Sequence, residues 1–345
     1  MNIALDATPL TLTSGGLRRY VEELAPALAR EYPEDDYTLL SDQNFTGPSA
    51  GNLHSLTRAV PRYWSWGIRK TLRETSVDVF HGTNFEVPYL GRTPAILTIH
   101  DLSPWKNPDW HVGASRVRQR TPWLVRFGRA KLILTVSEAM GREIASHFGI
   151  SAEKIRAVPL AASSLFQPVE VATPPPCPYF LFLGTLEPRK NLGALLEAWQ
   201  AIRETSGAEL WIAGRQRADF VPLPEIPGLR RLGEVSDAEL PALYAGALAF
   251  VYPTHYEGFG LPVLEAMQCG CPVITSADAA VTEVSGGAAL HVSDTRALAE
   301  AMSAVSGSEE QRRHLAQAGI LRSRSFSWQH TARKTHVVYE EALGK

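Results

Sequence analysis

The sequence predicts an α/β protein of two doubly wound domains, each a parallel sheet covered by helices on both faces. Three observations carry that prediction. Short apolar runs alternate with helical patterns, as βαβ units require. The series occurs twice, before and after a segment holding five prolines between Pro168 and Pro178. The 345 residues also exceed what one hydrophobic core usually serves.

The elements follow in order. A first strand is expected over 2–7; no basic region precedes it and Asp6 arrives at once, so the start reads as a strand and not a secretory leader. A helix over 16–30 sets Leu17, Val21, Leu24 and Leu28 on one face. Further strands are expected at 37–40, 77–81, 95–100, 132–136 and 155–160. The prolines then exclude a helix or a central strand, so the hinge is placed over 169–178 and the domains at 1–168 and 169–326. The second series opens with a strand at 179–183 and a helix carrying Leu192, Leu195, Leu196, Trp199 and Ile202 at helical spacing. Strands at 210–213, 247–252, 272–275 and 289–292 complete it. A last helix over 328–343 has Ala332, Thr335, Val338, Tyr339 and Ala342 on one side. No strand succeeds it, so 327–345 is expected to cross back to the N-terminal domain.

Composition narrows the function classes. A hydrophobic share of 45% and a charged share of 20% exclude bulk disorder. No apolar run approaches the roughly 20 residues of a bilayer span. A formal net charge of −2 is no footprint for nucleic acid. Cys177, Cys269 and Cys271 form neither a disulfide framework nor a zinc spacing, and a cytoplasmic location is expected. The near-neutral total conceals a basic stretch. Over 57–131 there are 13 Lys/Arg against 5 Asp/Glu, with Trp64, Trp66, Trp105, Trp110 and Trp123 among them. Two readings stay open: a solvated basic face over core tryptophans, or contact with an anionic membrane surface or substrate.

Ligands of open α/β folds bind outside the carboxyl ends of the strands, here expected in a cleft between the domains. Function is therefore sought in loops that follow strands. After the first strand, Gly15 and Gly16 let backbone N–H groups approach an anion at a helix N-terminus, and Arg19 lies within reach of it. This loop is not the G-x-G-x-x-G dinucleotide fingerprint. After the strand at 95–100, His100 and Asp101 suit donation to a sugar hydroxyl or proton transfer. His81 ends the preceding strand in the same manner, as a weaker candidate.

The third loop runs Gly184-Thr185-Leu186-Glu187-Pro188-Arg189-Lys190-Asn191. Arg189 and Lys190 at a helix N-terminus oppose the positive end of the macrodipole, which makes sense if a diphosphate also sits there. The fourth runs His255-Tyr256-Glu257-Gly258-Phe259-Gly260-Leu261-Pro262-Val263-Leu264-Glu265. Gly258 and Gly260 free the backbone to wrap a ligand, while Glu257 and Glu265 suit the hydroxyls of a ribose or hexose. No D-x-D triplet or metal-spaced His/Cys cluster occurs. No metal and no other cofactor is expected, the anion being met by Arg, Lys and helix termini.

At these residues the chain resembles the retaining, metal-independent GT-B glycosyltransferases of family 4 (GT4), over nearly its whole length. The string Glu257-Gly258-Phe259-Gly260-Leu261-Pro262 with Glu265 carries the resemblance most specifically. The Gly15-Gly16 loop, His100-Asp101, Thr135-Val136-Ser137-Glu138, the Gly184–Asn191 loop and Phe326-Ser327-Trp328 fit in order. The resemblance implies two Rossmann-like domains facing a central cleft, with an NDP-sugar bound mainly by the second and an acceptor mainly by the first. It implies that Arg189 and Lys190 hold the diphosphate and that Glu265 binds the ribose. Glu257, with the backbone of Gly258, Phe259, Gly260 and Leu261, would bind the hexosyl hydroxyls and distal phosphate. His100 would face the transferred sugar, and Gly15 and Gly16 would close over the donor phosphate. Thr185 stands where many relatives carry a basic residue, which shifts the diphosphate onto Arg189 and Lys190. Thr282 stands where proline is frequent before Glu283.

The expected activity is hexosyl transfer from GDP-mannose, with UDP-glucose next, to a saccharide or lipid-linked acceptor in cell-surface polysaccharide or glycolipid assembly. An NDP-sugar epimerase or hydrolase of the same fold, an NAD(P)-dependent oxidoreductase and a binding-only module are the alternatives.

Overall fold

A computed structural model describes residues 1–107, 110, 113–171, 175–217 and 220–345. The strands are β1 (Asn2–Asp6), β2 (Asp36–Ser41), β3 (Leu53–Thr57), β4 (Val79–Gly82), β5 (Ala95–Ile99), β6 (Leu132–Thr135) and β7 (Ile155–Ala157). They continue with β8 (Tyr179–Leu183), β9 (Glu209–Ala213), β10 (Leu229–Gly233), β11 (Ala249–Tyr252), β12 (Val273–Ser276) and β13 (Leu290–Val292). The helices are α1 (Gly16–Glu31), α2 (Ile68–Glu74), α3 (Ser103–Lys106), α4 (Ser115–Arg126), α5 (Glu138–Phe148) and α6 (Leu192–Ser206). After them come α7 (Leu240–Gly246), α8 (Leu261–Gln268), α9 (Ala279–Ser285), α10 (Thr295–Gly307), α11 (Glu309–Ser323) and α12 (Trp328–Leu343). The chain divides into two units, Met1–Leu160 with Ser327–Lys345, and Ala161–Phe326.

Both units hold one parallel sheet. In the first the order is β3-β2-β1-β4-β5-β6-β7, and in the second β10-β9-β8-β11-β12-β13. Central strands are buried along their whole length, β5 and β11 among them, because helices cover both faces. Each order reverses beside its first strand, between β1 and β4 and between β8 and β11. Those switch points are where a doubly wound sheet opens a crevice. The loops singled out in the sequence leave β1, β8 and β11 there.

Three details differ from the sequence reading. Two strands went unrecognised, β3 (Leu-His-Ser-Leu-Thr) and β10 (Leu-Arg-Arg-Leu-Gly). Each lies at a sheet edge and is mostly solvated, so neither shows the apolar run of a buried strand. The chain also enters the second unit before the prolines. Gln268 donates to the carbonyls of Ser163, at 2.9 Å, and Phe166, at 2.5 Å, and Phe166 is buried against Tyr244. Residues 161–166 are thus anchored ahead of the expected hinge, of which 172–174 lie outside the described residues. Finally, the tryptophans of the basic stretch divide: Trp66 and Trp123 are exposed, and the others are half-buried.

α12 belongs to the first unit. Ser327 caps it by accepting from the His330 N–H at 3.1 Å, and Thr331 donates to the Pro159 carbonyl at 2.7 Å. His336 lies 2.8 Å from Asp35 and stacks on Tyr32. Deeper in, the Tyr339 hydroxyl lies 2.8 Å from Nδ1 of His81. Burial, and secondarily His100, push the His81 imidazole down to about 3, so the folded ring is neutral. A histidine depressed in the fold stabilises fully above its unfolded value, and that contribution fades as pH falls toward the folded one. The unfolding free energy of the wild type, relative to His81→Gln, should therefore fall below pH ~6.5 by about 1.4 kcal/mol per pH unit. Urea unfolding between pH 5 and 8 measures this, and a pH-independent difference would contradict it.

Candidate functional site

The densest polar cluster sits at the switch point of the second unit, in the loops after β8 and β11. Past β8 the chain reaches Glu187 and makes one 3-10 turn, Pro188–Lys190. Asn191, in the left-handed region at φ 56°, then starts α6. Arg189 and Lys190 therefore precede the long helix and do not lie within it. Both are buried, and so are Glu187 and Glu257.

Glu257 is the hub. Its Oε1 lies 2.5 Å from the Lys190 ammonium, 2.9 Å from the Tyr252 hydroxyl and 3.1 Å from Thr254 Oγ1. Its Oε2 meets Arg189 at 2.9 Å. Burial alone would raise this carboxyl, but Arg189 and Lys190 outweigh it and hold it down at about 2. Glu257 is thus ionised through the neutral range. Tyr252 is pushed well above its ordinary value by burial and Glu257, so it stays a donor. Burial and then Arg189 pull the Lys190 ammonium downward, while Glu257 opposes them.

The two cations are not equivalent. Arg189 donates from Nε and Nη2 to Glu187, at 3.2 and 2.8 Å, and from Nη1 to the Tyr256 carbonyl at 2.8 Å, besides its contact with Glu257. Its planar fork is committed to bracing the two loops together. Backbone bonds add to the brace, since the His255 N–H donates to the Arg189 carbonyl at 2.9 Å. Lys190 uses two of its three N–H groups, on Tyr252 and Glu257, both at 2.5 Å. Lys190 is therefore the cation better able to turn toward an incoming anion.

Gly260 opens α8 at φ 96°, a conformation that a side chain would strain, and a Cβ there would press on Val281 at 3.2 Å. The Phe259 ring packs on Phe326 with centroids 5.9 Å apart, so this residue offers a ligand only its backbone. Glu265 lies in the second turn of α8, fully buried, with the Tyr244 hydroxyl 3.4 Å from its carboxylate. The Gly184 end of the site is closed by backbone: a Cβ on Gly214 would stand 2.1 Å from the Gly184 carbonyl oxygen. Beside it a cavity of about 210 Å³ is lined by Leu186, Ile212, Gly214, Arg215, Arg231 and Glu234, among others. Thr185 lies in the same loop, half-buried.

The first unit carries the remaining candidates. Gly15 caps α1 and Gly16 begins it, leaving the first N–H groups of a 16-residue helix outside its own bonding. Arg19 follows within the first turn. Its neighbour Arg18, which the sequence reading did not single out, donates to the carbonyls of Leu10 and Leu12 and pairs with Glu22. The His100 Nε2 lies 2.8 Å from the Thr83 carbonyl oxygen. A carbonyl only accepts, so Nε2 carries the proton. Burial lowers the ring's affinity for a second proton, which leaves Nδ1 as an acceptor of a hydroxyl proton and not a donor. Among the described residues Asp101 makes no hydrogen bond to His100 and acts on it through charge alone, which favours the protonated ring. Its carboxylate accepts from the backbone N–H and hydroxyl of Ser103, at 2.8 and 2.5 Å.

Tyr252, Thr254 and Glu187 complete the cluster without having been singled out in the sequence. Tyr252 reads there as the end of an apolar strand, and only the three-dimensional placement turns its hydroxyl onto Glu257. Arg189→Ala should destabilise the second unit by about 3–5 kcal/mol, because two buried carboxylates lose their main partner. Lys190→Ala should destabilise it less, since Glu257 keeps Arg189, Tyr252 and Thr254. Thermal unfolding compares the two, and a larger loss for Lys190→Ala would contradict the division of roles.

Two family models match the chain, one described as Glycosyltransferase Family 4 over residues 14–162 and one as Glycosyl transferases group 1 over 177–307. The O-antigen chain mannosyltransferase B of Escherichia coli is 37% identical over 304 residues, covering 81% of this chain and 77% of that protein. A sucrose-phosphate synthase from Thermosynechococcus elongatus superposes with a TM-score of 0.78 at 19% identity, covering 99% of both chains. The Anabaena protein Alr3699/HepE, solved with UDP-glucose, gives 0.71 at 16% identity over 98% of both. The two structural likenesses speak for the fold: two Rossmann-like domains of GT-B type.

Proposed function

The chain belongs to the family 4, group 1 glycosyltransferases, and on that premise we propose that it moves mannose from GDP-mannose to an acceptor hydroxyl with retention and without a metal ion. The O-antigen chain mannosyltransferase relative supports the sugar and a role in polysaccharide assembly, and a cytoplasmic location is part of the proposal. The fold neighbour that holds UDP-glucose supports the donor class. The observation that carries the reading is the buried Glu257 carboxylate, ionised and shared between Arg189 and Lys190 at the β8/β11 switch point.

In this reaction the bond between the anomeric carbon and the diphosphate oxygen breaks. The acceptor oxygen bonds to the same face of that carbon, and its proton passes to the leaving phosphate oxygen. Lys190 turns one N–H from Glu257 to the diphosphate, and the backbone N–H groups of Gly260 and Leu261, ahead of Pro262, meet the same charge. Glu257 then has acceptor capacity for the hexosyl hydroxyls, while Arg189 keeps it in place. In the second unit Glu265 takes the ribose; in the first, taken by itself, the Gly15-Gly16 loop with Arg19 suits a phosphate and His100 Nδ1 accepts a sugar hydroxyl.

The acceptor is proposed to be lipid-linked. Trp66 is 57% exposed beside Arg69, and at the end of α4 the exposed Trp123 and the following Phe127 accompany the exposed Arg126. Aromatic and basic side chains presented together suit an anionic membrane surface. Among the described residues no helix is long and apolar enough to cross a membrane, so contact would be peripheral.

The test is an assay with GDP-mannose and a lipid-linked saccharide acceptor in excess EDTA. Transfer should persist and the product should be the α-mannoside. Loss of activity that Mn²⁺ or Mg²⁺ restores would overturn the metal-free reading, and a β-product would overturn retention. Donor breakdown without any transfer to acceptor would point to a hydrolase.

A further inference from the structure

A buried hydrogen-bonded chain runs through the first unit and ends on the ring of His100. It starts on α12, where the Tyr339 hydroxyl lies 2.8 Å from His81 Nδ1. The other ring nitrogen of His81 lies 2.7 Å from Thr98 Oγ1 on β5. Tyr20 of α1 brings its hydroxyl to 3.3 Å from the same Oγ1 and 3.5 Å from His81 Nε2. The Tyr20 ring then stands edge-on against His100, with centroids 4.9 Å apart and planes at 82°. Tyr20, His81, Thr98 and Tyr339 are all buried, and none has a part in the reaction described above.

The arrangement answers a mechanical need. His100 is tied at one point, its Nε2 on the Thr83 carbonyl, and a ring held at one nitrogen can still tilt. Nδ1 points correctly only if something fixes the face of the ring. Tyr20 is that stop, and its own position depends on a hydroxyl whose partners lead back to α12. Each bond in the chain sits in a dry interior, where a missing partner leaves a polar group unsatisfied.

We propose that Tyr20 and Tyr339 are positioning residues for His100, with His81 and Thr98 relaying the docking of α12 to the orientation of its ring. The proposal rests on the reading that His100 meets the transferred sugar. It makes α12 part of what aims the site, beyond its part in packing.

The test is a double-mutant cycle. Tyr20→Phe and Tyr339→Phe keep the rings and remove the hydroxyls. Each should lower kcat about three- to tenfold while leaving the donor KM within about twofold. In a His100→Ala background the same substitutions should cost nothing further. Equal losses in both backgrounds, or no loss in the wild type, would overturn the proposal. If His100→Ala alone leaves kcat unchanged, the role of His100 fails first and the proposal falls with it, a distinguishable outcome. Thr98→Ser keeps the relay oxygen and should retain activity where Thr98→Val loses it. Imidazole NMR spectra supply a readout apart from turnover: His100 should stay the Nε2–H tautomer in both proteins, while its ring-proton shifts, set by the edge-on Tyr20 ring, should change in Tyr339→Phe. An unchanged His100 spectrum would count against the proposal even if kcat fell.

Discussion

A single buried carboxylate organises the second unit's site. Glu257 stands between a guanidinium and an ammonium from a loop 67 residues away in sequence, and with them it ties the ends of β8 and β11 across the sheet's switch point. Without the cations it would be an uncompensated charge in a dry interior, whereas Arg189 without it would still hold Glu187. The cluster comes preassembled. Within these two loops Arg189 and Lys190 balance Glu187 and Glu257. On the proposed reading, an arriving diphosphate would meet a neutral network able to redistribute its bonds, not a bare positive patch. Catalysis through preorganised charge asks for that arrangement, because little needs to move when charge develops.

The first unit applies the same economy to a neutral group. His100 has its tautomer set by a carbonyl and its ring face set by Tyr20. His81, which resembled it in sequence, is wholly buried and links α12 to β5 instead. Two histidines that each follow an apolar run thus end in different tasks, decided by which one the packing leaves half-exposed.

The sequence made the central strands plain, since burial on both faces leaves continuous apolar runs such as Ala95–Ile99. It concealed β3 and β10, whose edge positions allow Ser, His and Arg on their exposed sides. The proline segment marked a real change of course but not its start, because Phe166 was already committed to the second core. At the site, residue types and their order were legible: an anion-binding pair, a loop carboxylate and helix-opening glycines. Partnerships were not. Arg189 and Lys190 look alike in the string, yet one is a brace and the other retains a spare N–H. Asp101 next to His100 suggested a pair, yet its carboxylate serves Ser103. Spacing along the chain fixes what can reach a site, while the hydrogen bonds that decide roles come from elements remote in sequence.

The central claim is that the Glu257 cluster is the donor site. Calorimetric titration of GDP-mannose into the wild-type protein, Lys190→Ala and Glu257→Ala tests it most directly, with circular dichroism confirming that each variant is folded. The account predicts that each substitution weakens binding at least about tenfold, which is about 1.4 kcal/mol. Wild-type affinity in both folded variants would contradict it.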